Sequence, residues 1–195
     1  MIIGITGGTG CGNTTLLDVI REAGGLVLDC DAIYHDLLTR DTKLLDAIEA
    51  RFPGVVEDGC LQRKKLGAIV FQDADALADL NRITHGAVKS EVIRQLETAP
   101  DLAAIDAIGL FESGLDALCK LTVAVTAPVD ARIARLMVRD SITREYAAAR
   151  IQAQPSNEDF AQRCDYCLEN DSTAENFREK CIAFFAGMGI MKEKP

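Results

Sequence analysis

The chain has 195 residues, 48% of them hydrophobic, enough for one globular domain with a small inserted subdomain. A formal net charge of −9 excludes the basic stripe of a general nucleic-acid binder, so phosphate handling has to come from local clusters in an acidic body. No apolar run reaches the roughly 18 residues of a membrane span, and the first residues lack the basic segment and cleavage site of an export signal, so a cytoplasmic protein without a nucleic-acid or membrane partner is expected.

Residues 2–6, Ile-Ile-Gly-Ile-Thr, form a short apolar run of strand character. They lead into Gly-Gly-Thr-Gly-Cys-Gly-Asn-Thr at 7–14, and residues 15–23 continue as a helix with Leu16, Ile20 and Ala23 on one face. Strand, glycine-rich loop and helix in this order make a phosphate-binding P-loop. Gly7, Gly10 and Gly12 permit positive φ and close backbone approach, so the loop amides can form a nest for phosphate oxygens. The helix beginning near Asn13 adds its positive dipole end to the same point. Gly10, Cys11, Gly12, Asn13, Thr14 and Thr15 are therefore the expected ATP-binding residues. Thr14, at the motif's Ser/Thr position, is the expected Mg²⁺ ligand.

One position departs from the motif: Asn13 stands where a lysine belongs. A P-loop lysine reaches the β- and γ-phosphates and neutralises charge during transfer. The asparagine side chain is short and neutral. Losing one preorganised electrostatic group costs a factor of about 10² to 10³ in rate. Weakened nucleotide binding and slow chemistry are expected unless an arginine substitutes. Cys11, inside the loop near a helix N-terminus, is read either as a thiol of depressed pKa or as a filler for the usual small residue.

Residues 26–29 read as a second strand ending in Asp29-Cys30-Asp31. A carboxylate at a strand's C-terminal edge beside a P-loop is where open α/β sheets place ligand chemistry. Asp31 is favoured over Asp29 to accept a substrate proton or help hold Mg²⁺, with a helix N-cap as its structural alternative. The block 31–100 reads as mostly helical, with patterns through Leu44, Leu45 and Ile48, through Leu66, Ile69 and Val70, and across 76–96. It is too long for one crossover and is expected to form a substrate-binding insertion over about 41–100, with a core of 1–40 and 101–195.

Strand-like runs recur at 102–108, 121–127 and 166–169. Strands alternating with helices predict an α/β fold, a parallel five-stranded sheet flanked by helices. Pro128 opens a helix in which Val129, Ile133 and Leu136 face the core and Arg132, Arg135 and Arg139 fall on the opposite side. A further helix covers 143–154 with Arg144 and Arg150, Pro155 ends it, and Ser156 caps the next. This is the densest basic stretch of the chain, as a phosphoryl-transfer lid over about 139–157 requires, with Arg139 its foremost catalytic candidate. The last helix, 173–187, packs Phe177, Ile182 and Phe185, and 191–195 is expected to fray. The seven scattered cysteines are expected to be reduced thiols, and Cys164 and Cys167, though spaced C-x-x-C, lack the second pair of a zinc site. Nothing in the sequence specifies an oligomeric state.

Several motifs resemble the dephospho-CoA kinase family in order and spacing over essentially the whole length. They are the P-loop, Leu-Asp-Cys-Asp at 28–31, Leu-Gln-Arg-Lys-Lys-Leu-Gly-Ala-Ile-Val-Phe at 61–71 and Ile-Thr-His at 83–85. Gly-Leu-Phe-Glu at 109–112, Arg-Leu-Met-Val-Arg-Asp at 135–140, Arg-Ile-Gln-Ala-Gln at 150–154 and Cys-Asp-Tyr-Cys-Leu-Glu-Asn at 164–170 follow. The resemblance implies a P-loop NTPase fold like the nucleoside monophosphate kinases, with core, helical CoA-binding part and lid. It implies transfer of phosphate from ATP, with Mg²⁺, to the ribose 3′-hydroxyl of dephospho-CoA. It matches Asp31 to the acidic residue near the accepting hydroxyl and Arg63, Lys64 and His85 to the acceptor-binding region. It matches Arg139 to the lid and Asn170 to a position near the adenine. Asn13 departs from the family at the P-loop lysine, and Gly86 and Gly109 stand where prolines are usual. A family member that binds ATP or CoA precursors without efficient transfer is the alternative.

Overall fold

A computed structural model describes residues 1–190, and the expected frayed tail lies outside the described residues. The apolar runs become strands of one sheet. β1 (Ile2–Thr6) is followed by α1 (Asn13–Glu22), β2 (Leu26–Asp29), α2 (Cys30–Arg40) and α3 (Thr42–Arg51). A hairpin of β3 (Val56–Glu57) and β4 (Cys60–Leu61) precedes α4 (Arg63–Val70) and the long α5 (Ala74–Leu96). Then come β5 (Ala103–Asp106), β6 (Leu121–Thr126), α6 (Val129–Asp140), α7 (Arg144–Gln152), α8 (Asn157–Arg163), β7 (Tyr166–Glu169) and α9 (Ala174–Gly187). The five-stranded parallel sheet has the order β2-β5-β1-β6-β7, with the P-loop strand at its centre. Every residue of β6 is buried, as a strand covered on both faces requires.

The chain divides into two compact units. The first comprises Met1–Leu28 and Ala99–Pro195. Its core joins Ile3 and Ile5 of β1, Leu16 and Ile20 of α1, Val123 and Val125 of β6, and Phe177, Cys181 and Phe185 of α9. A smaller apolar cluster, Ile133, Leu136, Ala147 and Ile151, fastens α7 to α6. The expected cap at Ser156 is present, and two threonines expected as first helical residues prove to be caps. Thr143 caps α7, Thr173 caps α9, and Ser156 with Asp159 forms a reciprocal capping box at α8.

The second unit, Asp29–Thr98, packs α2, α3 and α4 around α5. It takes in the helix after β2 as well as the block that the sequence sets apart. The β3–β4 hairpin, absent from the sequence reading, turns at Asp58 and Gly59, both at positive φ (50° and 73°), which an Asp-Gly pair accommodates. Among the described residues no helix is long and apolar enough to cross a membrane, and no disulfide links the cysteines.

Three local expectations are corrected. The helix after β2 starts at Cys30 and its N-cap is Asp29, whose carboxylate accepts from the Ala32 amide at 2.9 Å, so Asp31 lies in the first helical turn and not on an extended strand. Pro128 is the N-cap of α6, one residue before its first turn. On α6, Val129 is exposed while Arg132, expected on the face away from the core, is only 2% exposed. The reason is that this face of α6 meets the P-loop at Arg132 and Arg135, while Arg139 at the helix end stays exposed.

Candidate active site

The loop between β1 and α1 has the backbone its glycines predict. Gly10 and Gly12 sit at φ 79° and 105°, values a residue with a Cβ adopts only under strain. The Cys11 amide bonds back to Gly8 O and the Thr15 amide to Gly12 O. The amides of Gly10, Gly12, Asn13 and Thr14 have no protein acceptor among the described residues. They stand at the N-terminus of a ten-residue helix, where orphan donors and the helix dipole favour an anion.

Three carbonyls of the same loop are tied down by side chains. Arg132 Nε donates to Thr9 O at 2.9 Å, Arg135 Nη1 to Gly10 O at 3.1 Å and Cys11 O at 3.3 Å, and Asn170 Nδ2 to Cys11 O at 2.8 Å. Arg135 also reaches Asn170 Oδ1 at 3.1 Å, so the buried Asn170 amide is engaged at both ends. Gln154, after α7, accepts the Thr9 amide at 2.8 Å. The loop is thus clamped by α6, by the segment after α7 and by the residue after β7. Fixing the carbonyls outward fixes the opposite edge of each peptide, which bears the amide, without a bound ligand. Cys11 is fully buried, and burial raises its thiol pKa against the opposing fields of Arg132 and Arg135, which supports the filler reading over a reactive thiol.

Asn13 does not point a charge anywhere. Its Nδ2 donates to Asp106 Oδ1 at 2.9 Å, while its Oδ1 is buried with no hydrogen-bond partner among the described residues. Asp106 ends β5 and is in register with Ile5, which sets its carboxylate beside the P-loop. The sequence reading missed it by extending the apolar run to 108. An acidic residue closing the strand next to the P-loop strand was the available signal. Thr14 is exposed at the start of α1. A threonine hydroxyl and an aspartate carboxylate are hard oxygen donors, a set that fits Mg²⁺.

Arg139 lies at the end of α6, largely exposed, with Nε and Nη2 on Asp140 at 2.7 and 3.0 Å. Arg150 meets the same carboxylate at 2.6 Å, and the two guanidinium groups hold Asp140 down at about 2.

In the second unit, Asp31 and Asp29 flank the start of α2. Desolvation raises the Asp31 pKa, the Asp29 charge adds to it and His35 opposes both. Arg63, at the first turn of α4, meets His35 Nδ1 at 3.1 Å, joining that helix to α2. Lys64 is exposed on α4 and His85 half-buried on α5. Arg63 and Asp31 are thus linked through His35, whereas among the described residues no hydrogen bond or ion pair joins Lys64 or His85 to them.

Comparison with known proteins follows the same lines. A family model described as dephospho-CoA kinase matches residues 1–176. A dephospho-CoA kinase of Symbiobacterium thermophilum is 37% identical over 188 residues, covering 93% of this chain and 79% of that protein. The crystal structure of TT1252 from Thermus thermophilus superposes with TM-score 0.80 at 32% identity, covering 96% of this chain and 97% of that one. The dephospho-CoA kinase from Campylobacter jejuni shares the fold, with TM-score 0.67 at 24% identity over 97% of this chain and 98% of that one.

Proposed function

The chain belongs to the dephospho-CoA kinase family, and from that premise we propose that it transfers the γ-phosphoryl group of ATP to the ribose 3′-hydroxyl of dephospho-CoA, yielding coenzyme A. One observation carries the reading: amides at the start of α1 that have no protein acceptor among the described residues, with loop carbonyls clamped by side chains. Such a loop is preorganised for the terminal phosphates of a nucleotide.

The roles divide as follows. The amides of Gly10, Gly12, Asn13 and Thr14 hold the phosphates, with Cys11 and Thr15 completing the loop. Thr14 and Asp106 would hold Mg²⁺. When bound, that ion would supply positive charge against the charge developing on the phosphates. Asp31 accepts the proton of the attacking hydroxyl, a task its raised pKa suits. Arg63, Lys64 and His85 bind the acceptor, and Arg139 closes over the transferring group. Asn170 acts on the nucleotide through the loop, because both ends of its amide are engaged.

The second reading, a family member that binds its ligands but transfers poorly, is favoured by Asn13, whose amide is spent on Asp106. Formation of coenzyme A from ATP and dephospho-CoA, followed by chromatography, decides. Mg²⁺-dependent product supports the kinase. Tight binding of both ligands without product supports the second reading. Product from another acceptor but not from dephospho-CoA would overturn both.

A further inference from the structure

Among the described residues of the first unit, Arg132 is the one large charged side chain that is buried, at 2% exposure. All its hydrogen-bond partners are neutral: Thr9 O at 2.9 Å, Asn157 Oδ1 at 3.3 Å and Gln154 Oε1 at 3.3 Å. Among the described residues no carboxylate lies within salt-bridge distance of it. The two 3.3 Å contacts are long for N–H···O bonds. A buried guanidinium without an anion is a costly arrangement, and folded proteins rarely keep a charge there unless something of opposite sign repays it.

Its position says what that something is. The guanidinium lies flat against the P-loop: a Cβ added to Gly8 would stand 2.1 Å from Arg132 Nη2 and 2.7 Å from Cζ. The chain therefore keeps residue 8 bare where the cation rests. Gln154 and Asn157 hold it from the other side, and Asn157 is itself fixed by donating to Ala127 O at 2.8 Å. One full positive charge is locked against the loop that, at residue 13, lacks one.

We infer that Arg132 is a positioning residue that supplies, from behind the loop, the positive field Asn13 does not, and so raises affinity for a nucleotide's phosphates. It acts through the Thr9 carbonyl and through space. The inference rests on the kinase reading, in that the anion is taken to be the phosphate chain of ATP.

The test is a double-mutant cycle read by calorimetric titration of Mg·ATP without acceptor, together with the Tm of the unliganded proteins. Arg132→Gln is expected to weaken Mg·ATP by about tenfold or more in the Asn13 background and by under about threefold beside Asn13→Lys. Its unliganded Tm should hold or rise, because an unpaired buried charge has been removed. Equal weakening in both backgrounds would show a loop brace only and overturn the inference. So would unaltered Mg·ATP affinity. Should Arg132→Gln not fold, Arg132→Lys keeps the charge and loses the fork. Affinity within about threefold of wild type then supports a field effect, and a larger loss overturns it. A wild-type protein that binds no Mg·ATP sinks both this inference and the kinase reading. One that binds it regardless of residue 132 sinks this inference alone.

Discussion

Asn13 Nδ2 lies 2.9 Å from Asp106 Oδ1, so the side chain at the P-loop's lysine position is turned onto the carboxylate that closes the neighbouring strand. This contact couples the loop to β5, but it gives no cation to the transferring phosphate. Asn13→Lys is therefore expected to raise kcat about a hundredfold, with KM for dephospho-CoA little changed, because the restored ammonium acts on the transition state. Steady-state assay of coenzyme A formation checks it. An unaltered kcat would mean that chemistry is not limited by charge at this position.

The proposed function gives the two acidic residues at the start of α2 different roles. Asp29→Ala removes the cap on the Ala32 amide and is expected to cost about 1 kcal/mol of stability. Asp31→Asn is expected to leave Tm nearly unchanged and to lower kcat by about 10² to 10⁴. A base must be ionised, so wild-type turnover should rise with pH through a pKa above the ordinary 3.8 of an aspartate. Thermal melts and pH–rate profiles of both variants test the division. Full activity in Asp31→Asn would remove Asp31 from the mechanism.

Arg139→Ala tests the lid. Its ion pair with Asp140 is largely exposed, and exposed pairs contribute little to stability. The expected result is a loss of about 10- to 10³-fold in kcat with no matching fall in Tm. Loss of Tm without loss of turnover would make it structural.

Glu91 offers a stability test away from the P-loop. It is buried on α5, bonded by Arg94 at 2.7 and 2.9 Å and by Gln95 at 2.8 Å, with Arg40 at 3.0 Å. The Arg94 hydrogen bonds foremost hold its carboxyl at about 2, below the ordinary 4.5. Because the folded state favours the ionised form, this contribution is complete above the ordinary value and is lost as pH falls toward 2. Glu91→Gln is expected to cost about 1 to 3 kcal/mol at neutral pH and to flatten the decline of Tm in that acid window. Melts of both proteins across that range check the sign.

Much of the architecture was legible because the elements differ in period. Five apolar runs separated by helical patterns specify the parallel sheet, and the glycines of the loop specify its backbone. The cap at Ser156 was readable as chemistry, whereas Thr143 and Thr173, taken as the first residues of their helices, are the caps before them. The hairpin escaped because strands of two residues have no periodicity, although Asp58-Gly59 was a turn signal. Arg132 was misread for a deeper reason. Helical spacing separates the face of Ile133 and Leu136 from the face of Arg132, but it cannot say whether that second face meets solvent or another part of the protein. Gly8 held the missing information, since its lack of a side chain is explained only by what rests on it.

The Asn170–Cys11 hydrogen bond spans 159 positions of sequence, and it is one of the clamps on the loop. A ribosome delivers the glycines first and their fasteners last. Until residue 170 has left the exit tunnel, the growing polypeptide carries the loop without the last of its clamps. Full fastening of the loop thus comes late in biosynthesis, after nearly all of the first unit has been made.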